Sequence, residues 1–249
     1  MAVPSMHVLA AKQPTSGAFD PLNITGLWGW WDASDAGSFT YAGLPDQISQ
    51  WDDLSGNARH QVLVAGAGGP FRNGTQNSLD TITYATSQAM KVVSTLAHAY
   101  VSVFAVMNMS SSAVTNARLI TLSKPTSNDY DNATRGIAIL RNGSADQVAG
   151  YSNAAMAVKA ITTNAYHTVS SIFNGTDHRL YVDGSAGTTV AHAATFDVTE
   201  LLVGCGYYSS TYAAGWYGNV AELIVADAAI GSTEQAAIEA YLKAKWGTP

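Results

Sequence analysis

The sequence predicts an all-β protein in which two antiparallel sheets form a sandwich and one short helix closes the chain. From Gly26 onward, short apolar runs are interrupted by Gly, Asn, Asp and Ser, a pattern typical of short strands and turns. The dipeptides Asn142-Gly143 and Asp183-Gly184 suit the positive φ angles of hairpin turns. The chain ends with an apolar strand and an amphipathic helical segment, and its 249 residues suit one sandwich.

Residues 1–21 are predicted to form an extended arm, and residues 22–249 the sandwich domain. The arm contains Pro4, Pro14 and Pro21 and has no apolar periodicity, so it cannot bury enough apolar surface to fold alone. Two interpretations remain open. The arm is an unattached terminus, or it anchors to a partner through its apolar residues, which are Met6, Val8, Leu9 and Phe19.

Within the domain, strands are predicted where apolar and β-branched residues run together. In chain order they are Leu27 to Trp31, Leu79 to Tyr84, Tyr100 to Met107, Arg118 to Leu122, Gly136 to Arg141, Gln147 to Tyr151, His167 to Phe173, Arg179 to Asp183, Thr188 to His192, Leu201 to Gly204 and Gly215 to Val225.

The last strand and the helix are predicted in more detail. Strand alternation places Val220, Ile224 and Ala226 on one side of the pleat. Ser232 followed by Gln235 matches a capping box at the start of the helix, and Gly247 supplies a stop. The helix should lie on a sheet through an apolar stripe formed by Ile238, Tyr241, Leu242 and Trp246.

Composition and charge exclude several classes of function. Only 12% of the residues are charged and the formal net charge is −6, so no basic face for nucleic acid is expected. The sequence shows no cleavable signal peptide and no apolar run long enough to span a bilayer, so no membrane insertion is expected. The single cysteine, Cys205, lies in an apolar run and is interpreted as a small core residue.

Four segments, in this order, resemble one family. The segments Leu27–Asp35 and Ile48–His60 look like the opening of bacterial and phage laminin-G-like, concanavalin A-like domains. Leu180–Gly184 resembles the central hairpin of that family, and Gly218–Gly247 resembles its ending. The resemblance implies a jelly-roll sandwich with the framework tryptophans in the core, namely Trp28, Trp30, Trp31 and Trp51. It does not fix a function, because the family includes lectins, glucanases, adhesion modules and virion proteins.

Catalysis is not expected from the carboxylates or from the histidines. Glycoside hydrolysis needs two carboxyl groups that flank the scissile bond, and none of the four glutamates begins the paired run that the glucanases of this family carry. Glu222 and Asp227 come nearest, but their odd spacing puts them on opposite faces of a strand, which indicates rim carboxylates. The histidines lack the local spacing of a zinc site. The sequence therefore predicts that the protein is not an enzyme.

No cofactor is expected, and calcium is the one candidate ion. Asn128, Asp129, Asp131 and Asn132 place four oxygen-bearing side chains within five residues, and Ca²⁺ prefers such ligands. The segment from Asp52 to Asn57 has a similar composition. Because Asp and Asn side chains also form turns, both segments remain open to a purely structural interpretation.

An aromatic cluster near the end of the domain is the candidate for a ligand site or a protein interface. It comprises Tyr207, Tyr208 and Tyr212, in a predicted loop flanked by Gly206 and Gly215, together with Trp216 and Tyr217, which directly follow that loop. Tyrosine and tryptophan are enriched both at protein interfaces and where an apolar face meets polar groups, so both interpretations stay open.

The main hypothesis from these features is a non-enzymatic virion component of a tailed phage, either a capsid decoration or a tail-attached subunit. Low charge, the arm and the missing catalytic set favour a subunit that assembles with protein partners, including copies of itself, on a virion made in bacterial cytoplasm. The alternative is a carbohydrate-binding lectin module that attaches to a host or a glycan.

Overall fold

The two-sheet antiparallel sandwich with one C-terminal helix is confirmed. The structure is a computed structural model that describes residues 19–85, 87–96, 100–124, 138–143, 146–152, 155–191, 198–208 and 211–249. Within these residues, no helix is long and apolar enough to cross a membrane.

The described strands are numbered in chain order. They are β1 (Leu27–Asp32), β2 (Phe39–Tyr41), β3 (Ile48–Trp51), β4 (Gln61–Leu63), β5 (Phe71–Gln76), β6 (Leu79–Tyr84), β7 (Met90–Leu96), β8 (Val101–Met109), β9 (Arg118–Ser123), β10 (Ala138–Arg141), β11 (Gln147–Ser152), β12 (Ala155–Ala160), β13 (Tyr166–Phe173), β14 (Asp177–Val182), β15 (Ser185–Ala191), β16 (Val198–Val203), β17 (Gly206–Tyr208), β18 (Thr211–Ala213) and β19 (Gly218–Ala226). The helix α1 spans Ser232–Trp246.

Two large sheets form the layers of the sandwich. The eight-stranded sheet has the order β15-β14-β13-β8-β19-β6-β5, and β1 pairs with β19 beyond the end of β6. The nine-stranded sheet has the order β12-β11-β10-β9-β16-β7-β4-β3-β2, and β17 pairs with β18 in a separate hairpin. The predicted strands supply β8, β13, β14 and β19 of one sheet and β9 and β16 of the other, whereas the sequence prediction missed β2 to β5, β7, β12 and the β17–β18 hairpin.

The core lies between the sheets, and the prediction for the framework tryptophans is confirmed at three positions. Trp28, Trp31 and Trp51 are buried in the inter-sheet cluster. Trp30 points to the other face of its strand and packs against a second apolar layer. Strand β8 faces both layers, which explains why its sequence is almost continuously apolar.

The second apolar layer lies between α1 and the outer face of the eight-stranded sheet. Ile238, Leu242 and Trp246 of the helix are buried there, as predicted, while Tyr241 is only partly buried. Gly247 ends the helix in the left-handed region with φ +65°, also as predicted. The predicted capping box is wrong, because Gly231 occupies the N-cap and no side chain caps the helix.

The backbone corrects two local predictions, namely the alternation along β19 and the two-residue turn at Asn142-Gly143. The register of β19 shifts between Val220 and Glu222, and this β-bulge turns Val220 toward the inter-sheet core while Ile224 and Ala226 face the helix. The Asp183-Gly184 turn joins β14 to β15 as predicted. The loop at Asn142-Gly143 is longer than a two-residue turn, because β11 begins only at Gln147.

Only the end of the predicted N-terminal arm falls within the described residues. The Phe19 ring packs against Tyr241 of α1, with ring centroids 5.5 Å apart. Asp20 then caps a short 3-10 turn over Pro21–Asn23. The other three predicted anchors, Met6, Val8 and Leu9, lie outside the described residues, so the arm and its boundary at residue 21 stay a prediction.

Candidate functional site

The predicted aromatic cluster is divided among three locations. Tyr207 and Tyr212 face each other across the β17–β18 hairpin, where the sequence had predicted a loop. Trp216 is 0% exposed, and its indole Nε1 donates to the Asn108 carbonyl at 3.2 Å, so it cannot present its ring to a ligand. Tyr217 is 38% exposed and lines a different pocket. The side chain of Tyr208 lies outside the described residues.

The outer face of the nine-stranded sheet brings two charged residues to the hairpin. Met90 and Val92 of β7 point into the core, so Lys91 points away from it, and the same alternation turns Glu200 of β16 outward. The Lys91 ammonium lies 3.0 Å from Glu200 Oε1. We call the group formed by Lys91, Glu200, Tyr207 and Tyr212 the outer-face site.

Tyr212 joins the ion pair to the aromatic rings. Its hydroxyl donates to Glu200 Oε2 at 3.3 Å and accepts from Lys91 Nζ at 3.4 Å. The rings of Tyr207 and Tyr212 form an edge-to-face pair with centroids 5.3 Å apart, an arrangement that aromatic quadrupoles favour. The site therefore combines a ring pair with a charged donor and a charged acceptor.

The protonation states of the outer-face site follow from its contacts. Burial lowers the pKa of Lys91, but the hydrogen bonds and charge of Glu200 and Tyr212 outweigh that effect and raise it above its ordinary value. Burial and the Glu200 carboxylate raise the pKa of Tyr212. At neutral pH, Lys91 is therefore an ammonium and Tyr212 is a neutral phenol that can donate.

A cavity of about 460 Å³ adjoins Tyr212. Its apolar floor is formed by Val64, Ala89 and Cys205, which belong to the small cluster against which both tyrosine rings pack, and Tyr212 is the one member of the outer-face site that lines it. Cys205 is buried, as predicted, but it belongs to this outer cluster rather than to the inter-sheet core. The rest of the lining comes from 64–67, 87–89 and 211–213. An apolar floor beside a few convergent polar groups is the usual make-up of a small-molecule site.

The sequence analysis missed Lys91 and Glu200, although both carry a readable signal. Lys91 follows Met90 and precedes Val92 and Val93, and Glu200 precedes Leu201 and Leu202. A single charge inside an apolar strand must reach solvent or an opposite charge. Two such charges of opposite sign predict a pair, but not which strands are neighbours.

The nearest carboxylate pair of the sequence analysis is corrected. Glu222 is not a rim carboxylate, because it is 0% exposed beneath α1. It accepts hydrogen bonds from Trp30, Tyr241, Lys245 and Trp246. Every strong donor around it is committed to holding the helix on the sheet, so Glu222 has a structural role.

Two histidine contacts resemble catalytic pairs but are structural. Ser171 Oγ lies 2.7 Å from His178 Nε2, yet His178 is completely buried, so no substrate can reach the pair. His167 Nδ1 lies 2.6 Å from Asp183 Oδ2, while its Nε2 is 2.9 Å from the Thr162 carbonyl. This imidazole joins β13 to the turn after β14.

Calcium finds no support in the part of the chain that the structure describes, where no three His, Cys, Asp or Glu residues cluster as metal ligands. The carboxylate of Asp53 instead accepts hydrogen bonds from the backbone of Trp30, Ser55 and Arg59 at 2.9–3.0 Å, which favours the turn-forming interpretation there. The other predicted ligands, Asn128, Asp129, Asp131 and Asn132, lie outside the described residues, so that prediction is untested.

The fold of this chain is similar to the folds of several solved structures. Neither a family model nor a curated protein matches the sequence. A GH54 α-L-arabinofuranosidase soaked with a cyclic sulfate inhibitor has TM-score 0.64 at 10% identity, covering 80% of this chain and 51% of its own. Domain 4 of AbnA, a GH43 extracellular arabinanase from Geobacillus stearothermophilus, in complex with arabinotriose, has TM-score 0.59 at 11% identity, covering 86% of this chain and 98% of its own.

A Trypanosoma rangeli sialidase in complex with 2,3-difluorosialic acid is also similar, with TM-score 0.62 at 12% identity, and the match covers 97% of this chain and 36% of that one. This chain thus spans about half of the GH54 structure and about a third of the sialidase. At such identities the likeness shows the fold alone. The β-sandwich of the predicted resemblance is confirmed, whereas none of these matches identifies the family as laminin-G-like or concanavalin A-like.

These comparisons overturn two predictions. A tailed-phage virion component is not supported, because the similar structures named above belong to proteins that act on sugars. The prediction that the protein is not an enzyme, which was argued from the missing carboxylate run and the missing zinc spacing, is overturned on the same ground, because the similar structures include glycoside hydrolases. Low charge and a proline-containing arm are compatible with many proteins and do not identify a virion subunit.

Proposed function

We propose that this protein is a carbohydrate-binding β-sandwich of the laminin-G-like, concanavalin A-like type, and that its outer-face site contacts the sugar. The observation that carries the proposal is the Tyr207–Tyr212 ring pair beside the Lys91–Glu200 ion pair and the cavity of about 460 Å³. A sugar ring presents apolar C–H faces together with hydroxyls that both donate and accept. Aromatic rings pack against the C–H faces, and a fixed cation and anion form hydrogen bonds with the hydroxyls.

Arabinose-containing oligosaccharides are the first probes to test. The supporting comparison is the AbnA domain, whose length the match covers almost completely and whose structure holds arabinotriose. The hydroxyls of a short oligosaccharide would contact the partly exposed Lys91 and Tyr212, while the carboxylate of Glu200, only 6% exposed, holds both groups in place.

Glycoside hydrolysis is the second candidate, favoured by the carboxylate of Glu200 and by the hydrolase neighbours. The two-carboxylate mechanism needs a partner carboxyl group about 5–10 Å away. In the described part of the outer-face site, Glu200 supplies the only carboxylate and Lys91 already neutralises it. Binding is therefore the function that the described geometry supports best.

Calorimetric titration of the whole chain with arabinotriose tests the proposal. Tyr212→Phe removes the hydroxyl that joins the ring pair to Glu200, and it should weaken binding about tenfold, the value of one lost hydrogen bond near a charge. Tyr100→Phe is the matched control, because Tyr100 is an exposed tyrosine outside the site, and its affinity should equal that of the wild type.

Release of 4-nitrophenol from 4-nitrophenyl α-L-arabinofuranoside separates the two candidates. Turnover that Glu200→Gln abolishes would replace binding with hydrolysis as the function. Equal affinities of Tyr212→Phe and wild type for arabinotriose would show that the outer-face site does not bind the sugar.

A further inference from the structure

A second pocket of about 350 Å³ lies on the other sheet, at the end of β6, β8 and β19. Its polar lining comes from Thr83, Asn108, Ser110, Asn164, Tyr217 and Asn219. None of its lining residues is charged, whereas the outer-face site is built on an ion pair.

Strand register creates the floor of this pocket. Asn219 of β19 lies opposite Thr83 of β6 on one side and Asn108 of β8 on the other. Because Ile82 and Met107 point into the inter-sheet core, Thr83 and Asn108 project from the outer face of the sheet. Three polar side chains from neighbouring strands therefore form one row.

Two amides in this row retain free hydrogen-bonding capacity. Asn219 Nδ2 donates to Thr83 Oγ1 at 2.9 Å, but its Oδ1 has no partner among the described residues. The side-chain amide of Asn108 also makes no hydrogen bond there, and both residues are only half-buried. A primary amide both donates and accepts, which matches the dual character of a hydroxyl group.

Tyr217 provides an exposed ring, and the backbone of this residue is held in place. Its carbonyl accepts from Ser110 N at 2.9 Å. The neighbouring Trp216 is anchored in the core, and a Cβ at Gly218 would approach the Asn108 carbonyl oxygen to 2.1 Å. The chain therefore runs flat against β8 at this point. The ring is presented without the entropic cost of ordering a loop.

From this geometry we infer a second carbohydrate site, in which the free amides of Asn108 and Asn219 bind the hydroxyls of an uncharged sugar beside the ring of Tyr217. The inference goes beyond the proposed function, because the pocket lies on a different sheet and shares no residue with the outer-face site. The chain would then hold two sugar units at once.

Side-chain amide NMR signals of the whole chain test this site directly. The probes are arabinotriose, xylotriose and cellotriose, each titrated separately. At least one of them should shift the side-chain amide signals of Asn108 and Asn219. Tyr217→Ala should weaken that titration about tenfold, and Asn219→Ala should weaken it to a similar degree. Tyr100→Ala removes another exposed tyrosine, at the opposite end of β8, and should change nothing.

Thermal unfolding shows whether each variant is folded. If Tyr217→Ala does not fold, Asn219→Ala alone tests the second site. Unmoved Asn108 and Asn219 signals with all three probes would overturn the second site, as would equal affinities of both pocket variants and wild type. Its failure is separable from that of the proposed function. Tyr212→Phe tests the outer-face site and should leave the Asn108 and Asn219 titration unchanged.

Discussion

Glu222 is the residue on which the attachment of the helix depends. It lies beneath α1 with 0% exposure and accepts from Trp30 Nε1 at 2.8 Å, Tyr241 OH at 2.9 Å, Lys245 Nζ at 2.8 Å and Trp246 Nε1 at 2.7 Å. A buried carboxylate is tolerated only when charge and hydrogen bonds replace its lost water. Three donors from the helix segment and one from β1 do so here.

Truncation of this carboxylate should be strongly destabilising. We expect Glu222→Ala to lower the free energy of unfolding by about 3–5 kcal/mol, because Lys245 and both indole donors lose a buried acceptor. Urea denaturation measures the loss. Lys243→Ala, at an exposed position of the same helix, should stay within about 0.5 kcal/mol of wild type. A loss below about 1 kcal/mol for Glu222→Ala would mean that water replaces the carboxylate.

His167 should make stability depend on pH. Burial lowers the pKa of this imidazole, but Asp183 and the Thr162 carbonyl outweigh that effect and raise it above its ordinary value. The folded state therefore binds the proton more tightly than the unfolded chain. The resulting stability is fully present below the unfolded pKa of about 6.5 and is lost as pH rises through the folded pKa.

The difference in unfolding free energy between wild type and His167→Gln reports this contribution. The difference should shrink as the pH rises from about 6 to about 9. A difference that stays constant or grows over this range would show that Asp183 does not stabilise the protonated imidazole in the folded state.

At the scale of elements, the sequence predicted those features that depend only on neighbouring residues within one element. The stripe of Ile238, Leu242 and Trp246 and the stop at Gly247 are properties of one helix, and both are confirmed. The bulge near Glu222 could not be predicted, because it depends on how β19 pairs with β8, a strand that is distant in the sequence. Short strands such as β4 have too few residues for a periodicity to be recognised.

Gly247 supplies a prediction about the end of α1. Gly247→Ala should cost about 1 kcal/mol, because alanine must adopt the left-handed φ of +65°. The nearest atom to an added Cβ is 3.4 Å away, so the cost is conformational rather than steric. Gly43→Ala, where a Cβ meets nothing within 4 Å, is the control and should be nearly neutral. Chemical denaturation distinguishes them, and equal losses would contradict this explanation.

At the scale of the whole molecule, the candidate site depends on sheet order. Tyr207 and Tyr212 could be selected from a local aromatic cluster, but Lys91 and Glu200 lie 109 positions apart and meet only because β7 and β16 are neighbours. Trp216 and Tyr217 are adjacent in sequence, yet one is buried and the other exposed. Strand order and the edge of the core, rather than composition, decide which aromatic residues can reach a ligand.

The central claim is that the outer-face site binds carbohydrate, and NMR titration of the backbone amides tests it most directly. With ¹⁵N-labelled whole chain and arabinotriose, the account predicts saturable shifts that include Lys91, Glu200, Tyr207 and Tyr212. These shifts should be weakened in Tyr212→Phe and unchanged in Tyr100→Phe. A titration in which these four signals do not move would contradict the account.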